Sequence, residues 1–251
     1  MPMPERQDTT GVQMPVRQQS EAASDHRDAA TPIGVYVALL CIGSGSLDAI
    51  SFLTLGDAFA SVMTGNIVFL GISAIQGSTE LAMYCGTALI GYAVGGAAAS
   101  RLAHRLRRVD ESRMWPRRVT ILLGVELAIL IGLAIAWLSY DGDPSRAGQH
   151  LLLAGAAFSM GIQGAAVRLL GVSVSTTYMT GALTTLLEAM ATRRPFTYTE
   201  RGAVVGLVSL AIGAALGTAM LEYAHPAAMV VPCVGLTFVV AAAAVRHRKG
   251  S

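Results

Sequence analysis

Residues 33–55 read IGVYVALLCIGSGSLDAISFLTL, a stretch in which the one charged side chain is Asp48. A helix of this length, rising about 1.5 Å per residue, is long enough to cross roughly 30 Å of hydrocarbon. Thr31 and Pro32 precede the stretch, and proline is favoured in the first turn of a helix. We therefore predict a first membrane span over residues 33–55, with Pro32 at the start of its helix.

The composition of the whole chain agrees with a membrane protein. Of its 251 residues 53% are hydrophobic and 14% charged, and the mean hydropathy is +0.54, which is too apolar for a soluble globular domain. A net charge of +2 gives no electrostatic footprint for nucleic acid, which we exclude as a partner. Five further apolar stretches resemble the first, at residues 81–102, 119–140, 151–170, 203–221 and 227–245. The predicted fold is an all-α, polytopic membrane protein with six transmembrane helices, and its immediate partner is the lipid bilayer.

The two ends of the chain are polar. Residues 1–31 hold eight of the 34 charged side chains and few large apolar ones, so we predict a disordered tail. They lack the basic start and apolar run of a cleavable signal sequence. Residues 246–251 form a short basic tail, and residues 32–245 between the two tails are predicted to be a single membrane domain.

Two apolar segments, residues 58–75 and 174–191, are short and rich in Thr, Ser, Gly and Asn, so each either crosses the membrane or turns back. Lys and Arg separate these alternatives, because they concentrate in cytoplasmic loops. If both segments are re-entrant, 17 of the 18 Lys and Arg lie inside, and if both cross, eight do. If the first alone crosses, 14 lie inside, and this option stays open. The favoured topology has six spans, two re-entrant or broken segments, and both termini in the cytoplasm of a bacterial cell with the chain in its inner membrane.

A triplet recurs at a fixed spacing, because Met63-Thr64-Gly65 returns 116 residues later as Met179-Thr180-Gly181. The same offset relates four further identical pairs: Gly45 and Gly161, Ala49 and Ala165, Leu70 and Leu186, and Gly86 and Gly202. The halves, residues 33–140 and 150–245, are therefore interpreted as a duplication. Since three spans is an odd number, the second half enters the membrane in the opposite direction, and we predict inverted repeats.

The predicted solute-binding residues are Thr64, Gly65 and Asn66 in the first short segment and Thr180 and Gly181 in the second. Non-helical backbone at membrane depth lies within protein or beside a wet cavity, and paired interruptions in two halves of a transporter mark a binding site. Threonine and asparagine side chains supply hydrogen bonds at such breaks, and glycine permits unusual dihedral angles. The alternative is that these small residues only let helices pack closely.

Three carboxyl groups fall in apolar segments. Asp48 lies about two-thirds along the first span, where an ionised Asp costs roughly 2.5–3.5 kcal/mol, so we predict that it faces a partner, the interior or water and orients the solute. Alternatively, it is protonated and hydrogen-bonds a neighbouring helix. Glu126 and Glu188 are predicted to lie nearer an interface, where they either join Asp48 in proton or ion coupling or are exposed to water.

Two further patterns concern packing and orientation. Arg168, at the end of the fourth span, is predicted to snorkel to the headgroups, with ligand binding as the less favoured alternative. Small residues recur four apart and predict tight helix contacts, within the bundle or across the seam of a homo-oligomer; they are Gly91, Gly95 and Ala99, and again Gly213 and Gly217.

Catalysis has little support in the sequence. A nucleophile needs a base within hydrogen-bond reach, but all five histidines lie at span ends or in tails. Cysteine and histidine spacings do not match a metal site. We therefore predict that the chain is not an enzyme and has neither a metal nor a cofactor.

Several motifs together resemble the YoaK-like family of bacterial membrane proteins, over residues 33–245. They are Gly45-Ser46-Leu47-Asp48-Ala49, Phe52-Leu53-Thr54-Leu55-Gly56, Met63-Thr64-Gly65-Asn66, Phe69-Leu70-Gly71, Gly161-Ile162-Gln163 and Thr177-Tyr178-Met179-Thr180-Gly181. The resemblance implies about six spans but no reaction, since the family is a domain of unknown function. It tends to have Gln-Asn where this chain has Gln163-Gly164, so a polar group opposite Asp48 is missing here.

The function predicted from these patterns is a transporter or channel-like protein for a small polar solute, with binding at the two short segments. The alternative is a non-transporting scaffold or accessory subunit whose glycine-rich faces bind a partner, and an intramembrane enzyme ranks third.

Overall fold

A computed structural model describes residues 16–106, 115–170 and 179–249. These residues form eight α-helices, and the predicted all-α class is confirmed. The helices are α1 (Val16–Thr54), α2 (Met63–Gln76), α3 (Thr79–Arg105), α4 (Arg117–Ser139), α5 (Arg146–Arg168), α6 (Met179–Ala191), α7 (Tyr198–Tyr223) and α8 (Val230–Lys249).

Six stretches of helix in the described part of the chain are long and apolar enough to cross a membrane, as predicted. They are Gly34–Thr54, Thr79–Arg105, Arg117–Ser139, Arg146–Arg168, Glu200–Tyr223 and His225–His247. Helices α2 and α6, with 14 and 13 residues, are shorter than the roughly 20 residues that a span needs. They correspond to the two short segments of the sequence.

The structure differs from the prediction at both ends of the membrane domain. Helix α1 begins at Val16, so Pro32 lies inside a helix and residues 16–31, which were predicted to be disordered, are helical. This segment is rich in Ala, Gln, Glu and Arg, which are good helix formers. Residues 1–15 lie outside the described part of the chain. At the other end, α8 continues through the predicted tail to Lys249. Residues 1–35 and 36–251 are separate compact units, and the contacts below belong to the second.

Helices α1 and α7 cross in close backbone contact and run in the same direction. A Cβ atom at Gly213 would overlap the Ile42 carbonyl, and one at Gly217, four residues later, would meet Ser46, so the contacts advance along both helices together; Gly45 in turn lies against the Leu210 carbonyl. A side chain at either position would force the two helices apart.

Helices α3 and α5 cross in the same manner and are also parallel. A Cβ atom at Gly91 would meet the Ala154 carbonyl, and one at Gly95, four residues later, would overlap the Phe158 carbonyl; Gly161 in turn lies against the Tyr92 carbonyl. The glycine faces that were predicted to form tight contacts therefore do so within this chain.

The helix ends define two sides of the bundle, and side A is the one where α1 ends. A Cβ atom at Gly56, just after α1, would overlap the ring of Tyr84 near the start of α3. Tyr84 in turn donates a 2.5 Å hydrogen bond to Gln149 near the start of α5. The end of α4 lies there as well, because Trp137 donates a hydrogen bond to the carbonyl of His225, which follows α7.

Side B holds the opposite helix ends. The rings of Tyr36 in α1 and Trp115 before α4 pack edge to face at 5.2 Å. Thr120 at the start of α4 is hydrogen-bonded to His247 at the end of α8, at 3.0 Å. Helices α1, α4 and α7 therefore run from side B to side A, and α3, α5 and α8 run from side A to side B.

These directions establish how the two short segments enter the bundle. Since α1 ends and α3 begins on side A, residues 55–78 enter and leave on that side and do not cross. Since α5 ends and α7 begins on side B, residues 169–197 begin and end on side B, although residues 171–178 lie outside the described part.

Helices α1 and α5 occupy the centre of the bundle. Of their apolar spans 61% and 67% are buried, against 28–39% for the other four spans. The outer helices and α2 carry most of the exposed large apolar side chains, among them Ile67, Ile90, Ile135 and Val208. Such an apolar exterior is what a bilayer requires of the helices that face it.

Candidate functional site

Asp48 holds the tip of the first re-entrant segment against the last third of α1. Its carboxylate accepts one hydrogen bond from the Ser61 amide (2.7 Å) and another from the Ser61 hydroxyl (2.5 Å). Ser44, one helical turn earlier, donates to the Ser61 hydroxyl oxygen at 3.1 Å. These partners lie six to ten residues before the end of α1 at Thr54, which places Ser61 about 9–15 Å inside the bundle.

The carboxylate of Asp48 also lies at the start of α2, since Ser61 comes two residues before Met63. Backbone amides at a helix start lack partners within the helix, and the helix dipole favours a negative charge there. Asp48 is 6% exposed and Ser61 8%, so protein groups occupy both carboxylate oxygens. The observed role of Asp48 is therefore that of an anchor for the re-entrant segment.

Asn66 closes the same segment into a ring. Its side-chain oxygen accepts a hydrogen bond from the Phe59 amide (2.9 Å), and its side-chain nitrogen donates to the Phe59 carbonyl (2.8 Å). The amide thus pairs with backbone as a neighbouring strand would, and Asn66 is fully buried. It satisfies two backbone groups that would otherwise be unpaired at membrane depth.

Glycine at position 65 makes room for an aromatic ring in this turn. A Cβ atom there would lie 3.2 Å from the Phe59 ring, which itself stacks on Phe52 of α1 at 4.9 Å. Thr64, in contrast, is exposed on α2. The structure thus brings Asp48, Gly65 and Asn66 together around residues 57–62, and among these Thr64 alone presents its side chain outward.

In the second short segment, Gly181 is exposed and has open space where a Cβ atom would lie, while the side chain of Thr180 falls outside the described part. Glu188 is exposed on α6. Beyond α6, Arg194 pairs with Glu200 at the start of α7, and this hydrogen-bonded carboxylate raises the pKa of the Arg194 guanidinium.

Glu126 is the most deeply placed carboxyl group in the described residues, and here the structure corrects the sequence prediction of a position near an interface. It is the tenth of the 23 residues of α4, near the middle of the span, and is fully buried. The α4 helix begins earlier at Arg117 and packs against both α5 and α8, which removes the side chain from water.

The Glu126 carboxylate has one observed partner. Its Oε1 atom accepts a 2.8 Å hydrogen bond from the side-chain nitrogen of Gln163 in α5. The other oxygen of Glu126 and the side-chain oxygen of Gln163 are buried and have no hydrogen-bond partner among the described residues. Two unpaired acceptor atoms thus lie in one buried pair, and this arrangement suits a proton or a cation.

Four helices meet around this pair. Both side chains border a packing gap too narrow for a water molecule, and apolar groups from α1, α4, α5 and α8 line the rest of it: Leu39, Leu40, Gly43, Leu130, Met160, Pro232 and Leu236. Asp48 does not belong to this lining, so the structure separates the two carboxyl groups that were predicted to cooperate. Sequence reasoning missed the pair because its members are 37 residues apart.

A separate cleft of about 430 Å³ opens on side A beside the re-entrant segment. Polar and acidic side chains from three elements line it, including Asp57, Glu80, Tyr84 and Gln149. Glu80 in this cleft also pairs with Arg146 at 3.3 Å. The first segment therefore borders a polar surface on the side from which it enters.

The chain matches the family described as "Protein of unknown function (DUF1275)" over residues 36–243. It is 37% identical over 159 residues to the UPF0700 transmembrane protein YoaK of Bacillus subtilis (strain 168), in an alignment that covers 62% of this chain and 67% of that protein. No solved structure matches the chain.

Proposed function

Since this chain belongs to the DUF1275 family, as the resemblance of its motifs to YoaK predicted, we propose that it transports a small polar solute across the bacterial inner membrane. Glu126 serves as the proton-coupling carboxyl group. The fold, six spans with a re-entrant segment held at mid-depth, supports this proposal, because soluble or scaffold roles do not require backbone to break inside the bilayer.

The observation that carries the proposal is the buried pair of Glu126 and Gln163. An ionised carboxylate near the bilayer centre costs roughly 2.5–3.5 kcal/mol, and such groups in membrane proteins mark proton and ion pathways. Here the cost is not offset by a salt bridge in the described residues, since Gln163 is neutral and offers one hydrogen bond. A proton on the free oxygen of Glu126 neutralises the group, and loss of that proton creates the charge difference that couples it to a solute.

Equivalent glycine contacts support inverted repeats. Ile42 and Gly45 of α1 correspond, at the offset of 116, to Phe158 and Gly161 of α5. In α7, Leu210 contacts Gly45 and Gly213 contacts Ile42. In α3, Tyr92 contacts Gly161 and Gly95 contacts Phe158. Tyr92 and Gly95 each precede their α7 counterparts, Leu210 and Gly213, by 118 residues. The same four-residue contact thus occurs twice. One copy joins two helices that run from side B to side A, and the other joins two helices that run from side A to side B. The central positions of α1 and α5 fit this relation.

The distribution of arginine supports an orientation with side B in the cytoplasm. Arginines at the side B helix ends and loops include Arg101, Arg105, Arg117, Arg168 and Arg194, whereas Arg146 lies on side A. Positive residues concentrate on the cytoplasmic side. In this orientation the first re-entrant segment enters from outside and the second from the cytoplasm.

The predicted solute residues take different roles in this proposal. Asp48 and Asn66 shape the first re-entrant turn, and Thr64 presents its hydroxyl to the solute from the start of α2. Thr180 and Gly181 hold the equivalent place in the second segment. The Asp48 carboxylate already occupies the start of α2, so backbone donors for a negatively charged part of the solute come from the start of the second short helix.

The test uses purified protein in proteoliposomes that enclose the pH dye pyranine. A panel of amino acids, carboxylates, sugars and inorganic phosphate is added outside, and solute-dependent change in internal pH is recorded. Glu126→Gln keeps the shape and removes the titratable proton, while Glu188→Gln makes the same change at an exposed position. We expect Glu126→Gln to abolish solute-dependent proton movement and Glu188→Gln to behave like the unmodified chain.

Two results would overturn the proposal. Unchanged proton movement in Glu126→Gln removes the coupling role. If folded, unmodified protein moves neither protons nor any radiolabelled member of the panel, transport itself is wrong and the scaffold alternative is favoured.

A further inference from the structure

A groove of about 480 Å³ lies between α3 and α5 toward side B, away from Glu126 and from the first re-entrant segment. Its floor consists of small residues, among them Gly96, Gly161 and Gly164, so the space exists because these positions lack side chains. Gly164 lies 116 residues after Asp48 and so occupies the equivalent position in the second half. Asp48 binds Ser61 through its carboxylate, whereas Gly164 has no side chain and borders the groove.

Basic side chains from three helices converge on this groove. His104 comes from α3, Arg118 from α4 and Arg168 from α5, and Ser100 adds a hydroxyl. The described lining contains no acidic residue. A concave surface with one sign of charge and low-dielectric walls concentrates ions of the opposite sign.

Arg118 provides the second observation. Its Nε atom is buried and, among the described residues, has no hydrogen-bond acceptor. Two other arginines do have an acidic partner: Arg146 pairs with Glu80, and Arg194 pairs with Glu200. Arg118 lines the groove while one donor of its guanidinium stays without a partner in the described residues, so an anion beside this side chain would offset a cost that no described group offsets.

We propose that this groove binds a phosphate group. The groove offers two guanidinium groups, an imidazole and a hydroxyl from three directions. A phosphate, with several oxygens and up to two negative charges, matches this set better than a single carboxylate does. The phosphate belongs either to an anionic lipid headgroup or to a soluble phosphorylated solute, because the groove lies near side B, at the level of the basic helix ends. This inference does not depend on the coupling role of Glu126.

The test measures the melting temperature of the full chain in a neutral maltoside detergent. Inorganic phosphate and short-chain phosphatidylglycerol are the probes, with sodium chloride at equal ionic strength and short-chain phosphatidylcholine as their references. The variants Arg118→Gln and Arg168→Gln remove one groove charge each. Arg201→Gln is the matched control, since it removes an exposed arginine on side B that does not line the groove.

We expect phosphate-dependent stabilisation of the unmodified chain and of Arg201→Gln, with a 10-fold or greater loss of apparent affinity in Arg118→Gln and Arg168→Gln. Stabilisation by inorganic phosphate identifies a soluble ligand, and stabilisation by phosphatidylglycerol alone identifies a lipid headgroup. The melting temperature of each variant without probe shows that it is folded. If neither probe exceeds its reference, or if all three variants respond alike, the proposal is wrong, and the flux result for Glu126 is unaffected.

Discussion

Replacing Asn66 should destabilise the protein in proportion to the hydrogen bonds that each variant loses. Asn66 is fully buried and pairs with both the amide and the carbonyl of Phe59, in hydrogen bonds that are themselves part-buried. A buried backbone group left unpaired costs about 1–3 kcal/mol. Asn66→Leu orphans both groups and should lower the free energy of unfolding by about 2–6 kcal/mol. Asn66→Asp keeps the acceptor but places a carboxylate oxygen against the Phe59 carbonyl, so it should also be destabilising.

The measurement is unfolding in mild detergent micelles titrated with sodium dodecyl sulfate, followed by circular dichroism. Ser73→Ala is the matched control, because Ser73 is also buried on α2 but bonds only to the Leu70 carbonyl of its own helix, at 2.9 Å. Its loss should cost about 0.5–1.5 kcal/mol. If Asn66→Leu costs no more than Ser73→Ala, the reasoning about the re-entrant turn is refuted.

Three other predictions follow from the packing and topology. Gly95→Ala should cost about 1–3 kcal/mol in the same assay because its Cβ overlaps a backbone carbonyl, whereas Gly96→Ala, whose Cβ lies 3.6 Å from the nearest atom, should be neutral or slightly stabilising; equal effects would contradict the helix contact. Thr197→Ala removes the capping box of α7, at about 0.5–2 kcal/mol, and should speed amide hydrogen exchange in its first turn, while an unchanged rate would show that the cap does not hold it. A cysteine at Gln76 should react with an impermeant maleimide from outside the cell and one at Arg193 only after the membrane is permeabilised, and the reverse pattern would contradict the proposed orientation.

Sequence reasoning located the spans well, because length and apolar composition alone decide which helices can cross a bilayer. All six predicted spans overlap the helices of the structure. The Lys and Arg count also favoured a first short segment that turns back, which the positions of Gly56 and Tyr84 on one side bear out. The start of α1 was predicted wrongly. Pro32 suits the first turn of a helix, but α1 begins at Val16 and Pro32 lies inside it.

The candidate sites were harder to predict. Asp48 was identified from its cost in a membrane, but its partner Ser61 was not, because no periodicity indicates how a loop folds back along a helix. Gln163 was noted only as part of a family motif, and its contact with Glu126 depends on how α4 and α5 pack. The basic groove depends on the absence of side chains at glycines of two helices, which becomes visible only once those helices are placed together.

The crossing of α1 with α7 has a consequence for biosynthesis. Ile42 and Gly213 are separated by 171 residues, and translation at about 5–20 residues per second takes roughly 10–30 s to cover that distance. Throughout this interval the face of α1 that carries Ile42 and Gly45 is not covered by α7. Lipid or the surface of an insertase therefore covers this face of α1 until α7 is inserted and packs against it.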